Sequence, residues 1–495
     1  MLNKVNLDAK LKKSELKKLL DDKLGYELGK AQRAAREAGM PVIMIFEGWR
    51  HSRRSEIVGK MMQYMDARGF RVFTSTRIPE ADRQMPFFSM FWRYLPPPGH
   101  IRVYRHSWYY LKNDIEVKNE AKSTRTTYDE INAFEKQLTD GHYCLLKFFV
   151  HISEKQQEKN KKTLMKEVGK AWRPIKEIYS EDGQYDKFYK RYEEMLKATD
   201  TENAPWNLIS GEDVDVAEYE VFNAVVDGIN KAVKEFKAYK EAKRVSTNTS
   251  DSKRKYDILS KVDLSKDVSK EEYKEKLAEY QKRLRELQVE AFQKGVAMAL
   301  AFEGWDAGGK GGAIKRVAEA LDPLDFSVHP YSAPNQVEKL FHYLWRFWIN
   351  VPALGHFALF DRTWYGRVMV ERIEKITPDV DWRRAYDEIN EMEKEWTKAN
   401  MVVLKFWLQI DKDEQARRFK EREKNPEKLW KITDEDWRNR AKWAEYEDAV
   451  NEMLGRTNTD YAPWIIVEAN SKLYARLKVL KTIIDALEKK LKDKK

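Results

Sequence analysis

The sequence predicts an α/β protein built twice over, each copy a parallel sheet with flanking helices. Three observations carry this. Phe46-Glu-Gly-Trp49 returns as Phe302-Glu-Gly-Trp305, 256 residues on, while Tyr128-Asp-Glu-Ile-Asn132 returns as Tyr386-Asp-Glu-Ile-Asn390 and Ala204-Pro-Trp206 as Ala462-Pro-Trp464, both 258 residues on. Self-similarity at a nearly fixed offset across half a chain reads as tandem duplication. Apolar, β-branched runs alternate with helical spacing, the pattern of βαβ units. One of those runs ends in a glycine-rich turn that opens a helix.

Taken in order, Met1 to Leu20 is lysine-rich and amphipathic, without a signal-peptide core. The midpoint stretch Val245-Ser-Thr-Asn-Thr-Ser-Asp-Ser252 lacks apolar periodicity and reads as a linker, dividing the chain into 1–245 and 246–495. In the second copy the predicted strands are Val296–Phe302, Phe326–Tyr331, Phe357–Phe360, Met401–Ile410 and Trp464–Glu468. Ile314, Val317, Ala318 and Leu321 give helical spacing over Lys310–Leu321. A charged helical segment at about 411–447, with Gln415, Arg417, Arg418, Lys420, Arg422, Lys428 and Lys431, is placed to form a lid. Most charges on such a helix are simply solvated.

Composition narrows the classes. The chain has 495 residues, 42% hydrophobic and 35% charged, as a soluble globular protein would. No apolar run approaches the roughly 18 residues of a membrane span, so no membrane partner is expected. A lone cysteine, Cys144, excludes an intrachain disulfide and a cysteine-built metal site, which fits a reducing, cytoplasmic setting. The net charge of +11 favours an anionic partner.

The chemistry concentrates in Phe302-Glu-Gly304-Trp-Asp-Ala-Gly-Gly309-Lys310-Gly311. Gly304, four residues, then Gly309-Lys310 is the P-loop spacing, whose backbone N–H groups face phosphate at a helix N-terminus while the lysine neutralises it. Gly304, Trp305, Ala307, Gly308, Gly309 and Gly311 would form this cradle. The plainer account is a glycine-rich turn that merely packs strand to helix, and a Gly-Lys pair at this spacing after an apolar strand argues against it. Position 311 is where the pattern places a Ser or Thr hydroxyl on Mg²⁺. Here it is glycine, so Asp306 is the nearest candidate ligand. A second apolar run, Phe357–Phe360, ends in Asp361, at the sheet edge where open α/β proteins bind ligands and at the Walker-B position for a metal. Arg362, Arg367 and Arg372 follow, able to meet phosphate charge. The plainer account makes Asp361 a helix cap and the arginines surface residues.

These residues resemble the polyphosphate kinases of family 2, specifically the two-domain members that act as polyphosphate:AMP phosphotransferases. The resemblance spans almost the whole chain and rests on Gly304–Gly311, Asp361-Arg-Thr-Trp-Tyr-Gly-Arg367, Leu404-Lys-Phe-Trp407, Trp430-Lys431 and Ala462-Pro-Trp464. It implies a P-loop-kinase-like fold with Mg²⁺, or Mn²⁺ in its place, and inorganic polyphosphate as donor to AMP, giving ADP. It implies functional roles for Asp306, Lys310, Asp361, Arg362 and Arg367, with Asp306 and Asp361 on the metal, and for Lys431 on phosphate. Gly366 departs from the asparagine common in single-domain members.

At an offset of 256 the first copy has Arg50 for Asp306, Arg53 for Gly309, Arg54 for Lys310 and Arg105 for Asp361. Cations stand at both ligand positions, so this copy reads as a retained fold without the chemistry, a pseudo-dimer partner within the chain; further oligomerisation is left open. Two other readings fit the motifs: an ATP-dependent nucleotide kinase, and a nucleic-acid-binding protein with aromatic stacking platforms. Many of the 16 tryptophans fall in the repeated motifs, as core residues would, which argues against the latter.

Overall fold

In the computed structural model, the described residues are 1–8, 16, 19–75, 80–117, 126–168, 183–245, 256–426, 432 and 434–492. Of the sequence-based expectations, the linker residues after Val245, together with Lys428, Trp430 and Lys431, lie outside them. The chain forms two compact units. One comprises Met1–Pro79, Tyr94–Ser246 and Leu340–His342; the other comprises Glu80–Arg93, Thr247–Lys339 and Tyr343–Lys495. The sequence alone divides at 245/246; the contacts instead place Glu80–Arg93 with the second unit.

The first unit holds strands β1 (Val42–Gly48), β2 (Phe70–Thr74), β3 (Ile101–His106), β4 (Cys144–His151) and β5 (Trp206–Ser210), all parallel, in the order β2-β3-β1-β4-β5. Every residue of β1 is buried. That is expected of a central strand covered by helices on both faces, and it explains an apolar run without alternation. Helix Gly25–Ala38 lies against the long helix Val214–Val245.

The second unit repeats this plan with β6 (Ala297–Gly304), β7 (Phe326–Pro330), β8 (Phe357–Asp361), β9 (Met401–Gln409) and β10 (Trp464–Glu468), ordered β7-β8-β6-β9-β10. All pairings are parallel. Each predicted strand appears within two residues of its expected ends. The helix predicted from Lys310 ends sooner, at Ala318, although Leu321 beyond it still packs at 2% exposure. The segment Glu80–Arg93 is bound here by main-chain and aromatic contacts. The Phe88 N–H donates to Glu395 Oε1 (2.8 Å), Leu354 N–H donates to the Gln84 carbonyl (3.1 Å), and Trp92 stacks on Trp348 at 5.9 Å.

Strand order reverses on either side of β6, so the crevice for a ligand opens at its carboxyl end between β8 and β9. Gly304 stands at that end with φ +150, and a Cβ there would meet the Leu408 carbonyl at 2.7 Å. Only glycine lets the chain turn so close to β9.

Candidate functional site

The glycine turn closes on itself and delivers helix Lys310–Ala318. Gly309, at φ +110, is its N-cap, and Gly312 N–H donates to the Gly309 carbonyl at 3.0 Å. Lys310 curls back over the turn: its Nζ donates to the carbonyls of Gly304 (2.6 Å) and Trp305 (3.4 Å). The ammonium thereby sits inside the loop, where phosphate oxygens would compete for its donors. A Cβ on Gly311 would meet nothing within 4 Å. Packing therefore does not exclude a hydroxyl at 311; the sequence omits it.

A cavity of about 90 Å³ opens beside the loop, lined by Glu303, Gly304, Trp305, Asp306, Lys310, Arg362, Gly366, Met369, Val370, Trp407, Gln415, Asn439 and Tyr446. The structure thus brings together Asp306, Lys310 and Arg362 from the sequence-based set. Asp306 Oδ2 accepts from Asn439 Nδ2 at 3.0 Å. Trp305 is sandwiched from above, its ring stacked on Trp443 at 3.7 Å and 9°, and its Nε1 donates to Gln409 Oε1 at 2.9 Å. Asn439 and Trp443 belong to the helices Asp434–Ala441 and Trp443–Thr457, in and beyond the predicted lid region. Arg362 is exposed at the rim with φ +62, in the left-handed region.

Asp361 ends β8 in register with Phe302 and half-buried, but does not line the cavity. Ala307, Gly308 and Gly309 border a second cavity, of about 190 Å³, whose wall includes Arg418, Arg422, Lys472 and Arg476. Arg367 and Arg372 are not brought to the first cavity. Arg367 Nη1 pairs with Glu371 (2.6 Å) over the Tyr343 ring, and Arg372 Nη1 pairs with Glu452 (2.8 Å) over Trp382. Glu371, on the short helix Val370–Ile373, and Glu452, on the helix Trp443–Thr457, thus hold these two guanidiniums.

Sequence reasoning passed over Glu303. It is buried at the cavity floor, and its Oε1 accepts both the N–H (2.7 Å) and the hydroxyl (2.8 Å) of Thr363, pinning the Asp361–Arg362 turn to the end of β6. Burial pushes its carboxyl up, against the pull of the Lys310 ammonium, the Thr363 bonds and Arg362. Its place in the repeated Phe-Glu-Gly-Trp motif was a signal. Asn439 and Tyr446 carried none.

Do these residues suit a cation? Among the described residues, one oxygen of Asp306 is taken by Asn439 and the other is open. No group of three or more His, Cys, Asp or Glu gathers there among those residues. That donor set fits a hard divalent ion held by one or two carboxylates and completed by water and substrate phosphates.

A family model described as polyphosphate kinase 2 matches residues 10–237 and again 267–495. The chain belongs to the polyphosphate kinase 2 family. Kinases of this family depend on a divalent metal. A polyphosphate:AMP phosphotransferase of Pseudomonas aeruginosa is 39% identical over 457 residues, 91% of each chain, and one of Pseudomonas syringae pv. tomato is 38% identical over 93% of each. The crystal structure of a putative polyphosphate kinase 2 from Pseudomonas aeruginosa superposes with a TM-score of 0.86 at 36% identity, covering all of both chains. The double match of the family model coincides with the two parallel-sheet units, each a P-loop-kinase-like fold. No helix among the described residues is long and apolar enough to cross a membrane.

Proposed function

We propose that the chain transfers the terminal phosphoryl group of inorganic polyphosphate to a nucleoside monophosphate, AMP giving ADP, in the cytoplasm. The observation that carries it is the Lys310–Asp306–Arg362 cavity in a chain collinear with relatives that bear this activity in their names.

A phosphate oxygen of AMP attacks the terminal phosphorus of the donor. The new P–O bond forms as the bridging P–O bond breaks, and the donor leaves one phosphate shorter. AMP needs no base, since a phosphate monoester with second pKa near 6 is mostly dianionic at neutral pH. The obstacle is bringing anions together, so positioning and charge do the catalysis. Lys310 and the loop amides hold phosphate; Arg362 meets the charge at the rim. Asp306 and Asp361 would hold Mg²⁺, or Mn²⁺ in its place, which when bound draws charge from phosphoryl oxygens. Arg367 and Arg372 would join only after leaving the carboxylate partners described above, and Lys431 is assigned to phosphate on the resemblance alone.

The first unit lacks the residues of this site. Arg54 stands where Lys310 would, 3.8 Å from Glu47, with Arg50 and Arg105 at the metal positions. It serves as the structural half of a pseudo-dimer.

The test is purified protein with AMP, long-chain polyphosphate and Mg²⁺, without ATP, with product nucleotides resolved. ADP is expected. Formation of ADP only when ATP is added would replace this reading with an ATP-dependent kinase.

A further inference from the structure

Helix Lys412–Glu423, at the base of the lid, reaches under the glycine loop at two points. Gln415 Nε2 donates to the Asp306 carbonyl at 3.1 Å, and Arg418 Nη1 donates to the Ala307 carbonyl at 2.9 Å. Arg418 continues to the turn after β10, its Nη2 bonding the carbonyls of Ala469 (2.6 Å) and Asn470 (3.0 Å), while its Nε pairs with Glu414. One guanidinium, 2% exposed, therefore ties lid helix, loop and β10 turn together. Ala307 is a non-glycine residue at φ +60, a conformation that persists only when its surroundings hold it.

The first unit solves the same backbone problem without the charge. His51, the counterpart of Ala307, stands at φ +61. Gln157 Nε2 donates to the Arg50 carbonyl (3.2 Å) and Asn160 Nδ2 donates to the His51 carbonyl (2.9 Å), at the positions of Gln415 and Arg418. Even Glu414 has its echo, for Gln156 Nε2 donates to Asn160 Oδ1 at 2.9 Å. A neutral amide thus suffices to hold this loop shape where Lys310 and both aspartates are replaced. Where they are kept, a buried cation does the same task, though burying charge is costly. Its field reaches the second cavity: burial and the Arg418 charge together hold the Lys472 ammonium below its usual range.

We infer that Arg418 is a positioning residue that couples the lid to the phosphate cradle, and that transfer requires its charge behind the loop rather than its shape. This rests on the reading that the Gly304–Gly311 loop holds donor phosphate.

The test uses the full chain with Arg418→Asn, which installs the first unit's own residue, with Arg418→Gln as a second neutral variant should the first fail to fold, and with Arg418→Lys. For a neutral variant whose urea midpoint shows it folded, kcat/KM for polyphosphate should fall at least about tenfold, as for a lost charge-stabilising group, with KM for AMP unchanged. Arg418→Lys should recover most of the loss. Neutral variants within about threefold of wild type would overturn the inference, as would a lysine variant as impaired as the folded neutral one. Lys310→Ala is run alongside. If it keeps wild-type activity, the site reading itself is wrong; if it is inactive while the neutral Arg418 variants are not, only this inference is.

Discussion

Beneath each sheet the two units carry the same buried polar cluster. In the second, Lys405 Nζ donates to Glu393 Oε2 (2.7 Å), Tyr365 Oη (2.9 Å) and the Thr457 carbonyl (2.6 Å). In the first, Lys147 Nζ donates to Glu135 Oε2 (2.8 Å), Tyr109 Oη (3.2 Å) and the Thr199 carbonyl (2.7 Å). The parallel extends to Trp364 and Trp108, whose Nε1 groups each donate to that glutamate at 2.9 Å. Yet at the strand ends above, the positions held by aspartates in the second unit are held by arginines in the first. A buried ion pair cannot lose one member without stranding the other, whereas a half-exposed site residue can change with little consequence for folding. The comparison therefore separates what holds the fold from what performs the chemistry.

The sharpest way to break it is at the site. Lys310→Ala and Asp361→Asn should each lower AMP phosphorylation by about 10²–10³-fold or more while leaving the chain folded. Arg54→Ala and Arg105→Gln, at the same places in the first unit, should change turnover less than about twofold, because no substrate is held there. A large loss from either first-unit variant would end the division of labour.

In stability the two units should answer alike. Lys405→Met and Lys147→Met each leave a buried glutamate unpaired and should cost about 3–5 kcal/mol, read from urea unfolding. A loss in one unit only would mean the clusters are not equivalent.

Acid should distinguish the units again. His106 and His151 stand where the second unit has Arg362 and Gln409. Burial, with Arg54 and Arg105, pulls His106 down to about 3; burial pulls His151 down to about 4 despite Glu212 and Glu193. The unfolded chain binds these protons near pH 6.5 and the folded one does not. Their contribution is therefore complete above about 6.5 and lost as pH falls toward 4. Glu218, raised by burial and Asp215 to about 7, works the other way. The clean reading is the difference made by His151→Gln, which can still accept from Trp49 Nε1 as Gln409 does from Trp305. That variant should show a shallower loss of urea midpoint between pH 7 and 5, and an unchanged slope would refute the assignment. Smallest of all is Arg54→Lys, expected to add no measurable activity to a Lys310→Ala chain, since the two carboxylates are still missing.

The strands, the glycine turn and the duplication could be read from the sequence because each is locally encoded. A strand covered on both faces is an unbroken apolar run, and Gly304 must be glycine where β9 passes so close. Asp306, Lys310 and Arg362 were legible for the same reason, lying within a few residues of strand ends. Asn439 and Tyr446 could not be foreseen, because they reach the cavity from helices more than 120 residues away from the loop. The settings of Arg367 and Arg372 were equally hidden: whether an arginine on a short turn faces phosphate or a carboxylate depends on where Glu371 and Glu452 stand, and Glu452 is 80 residues further on. Local pattern determined the elements and the loop between them, whereas long-range packing decided which charges face the cavity, because a charged side chain settles on its nearest counter-charge in space rather than in sequence.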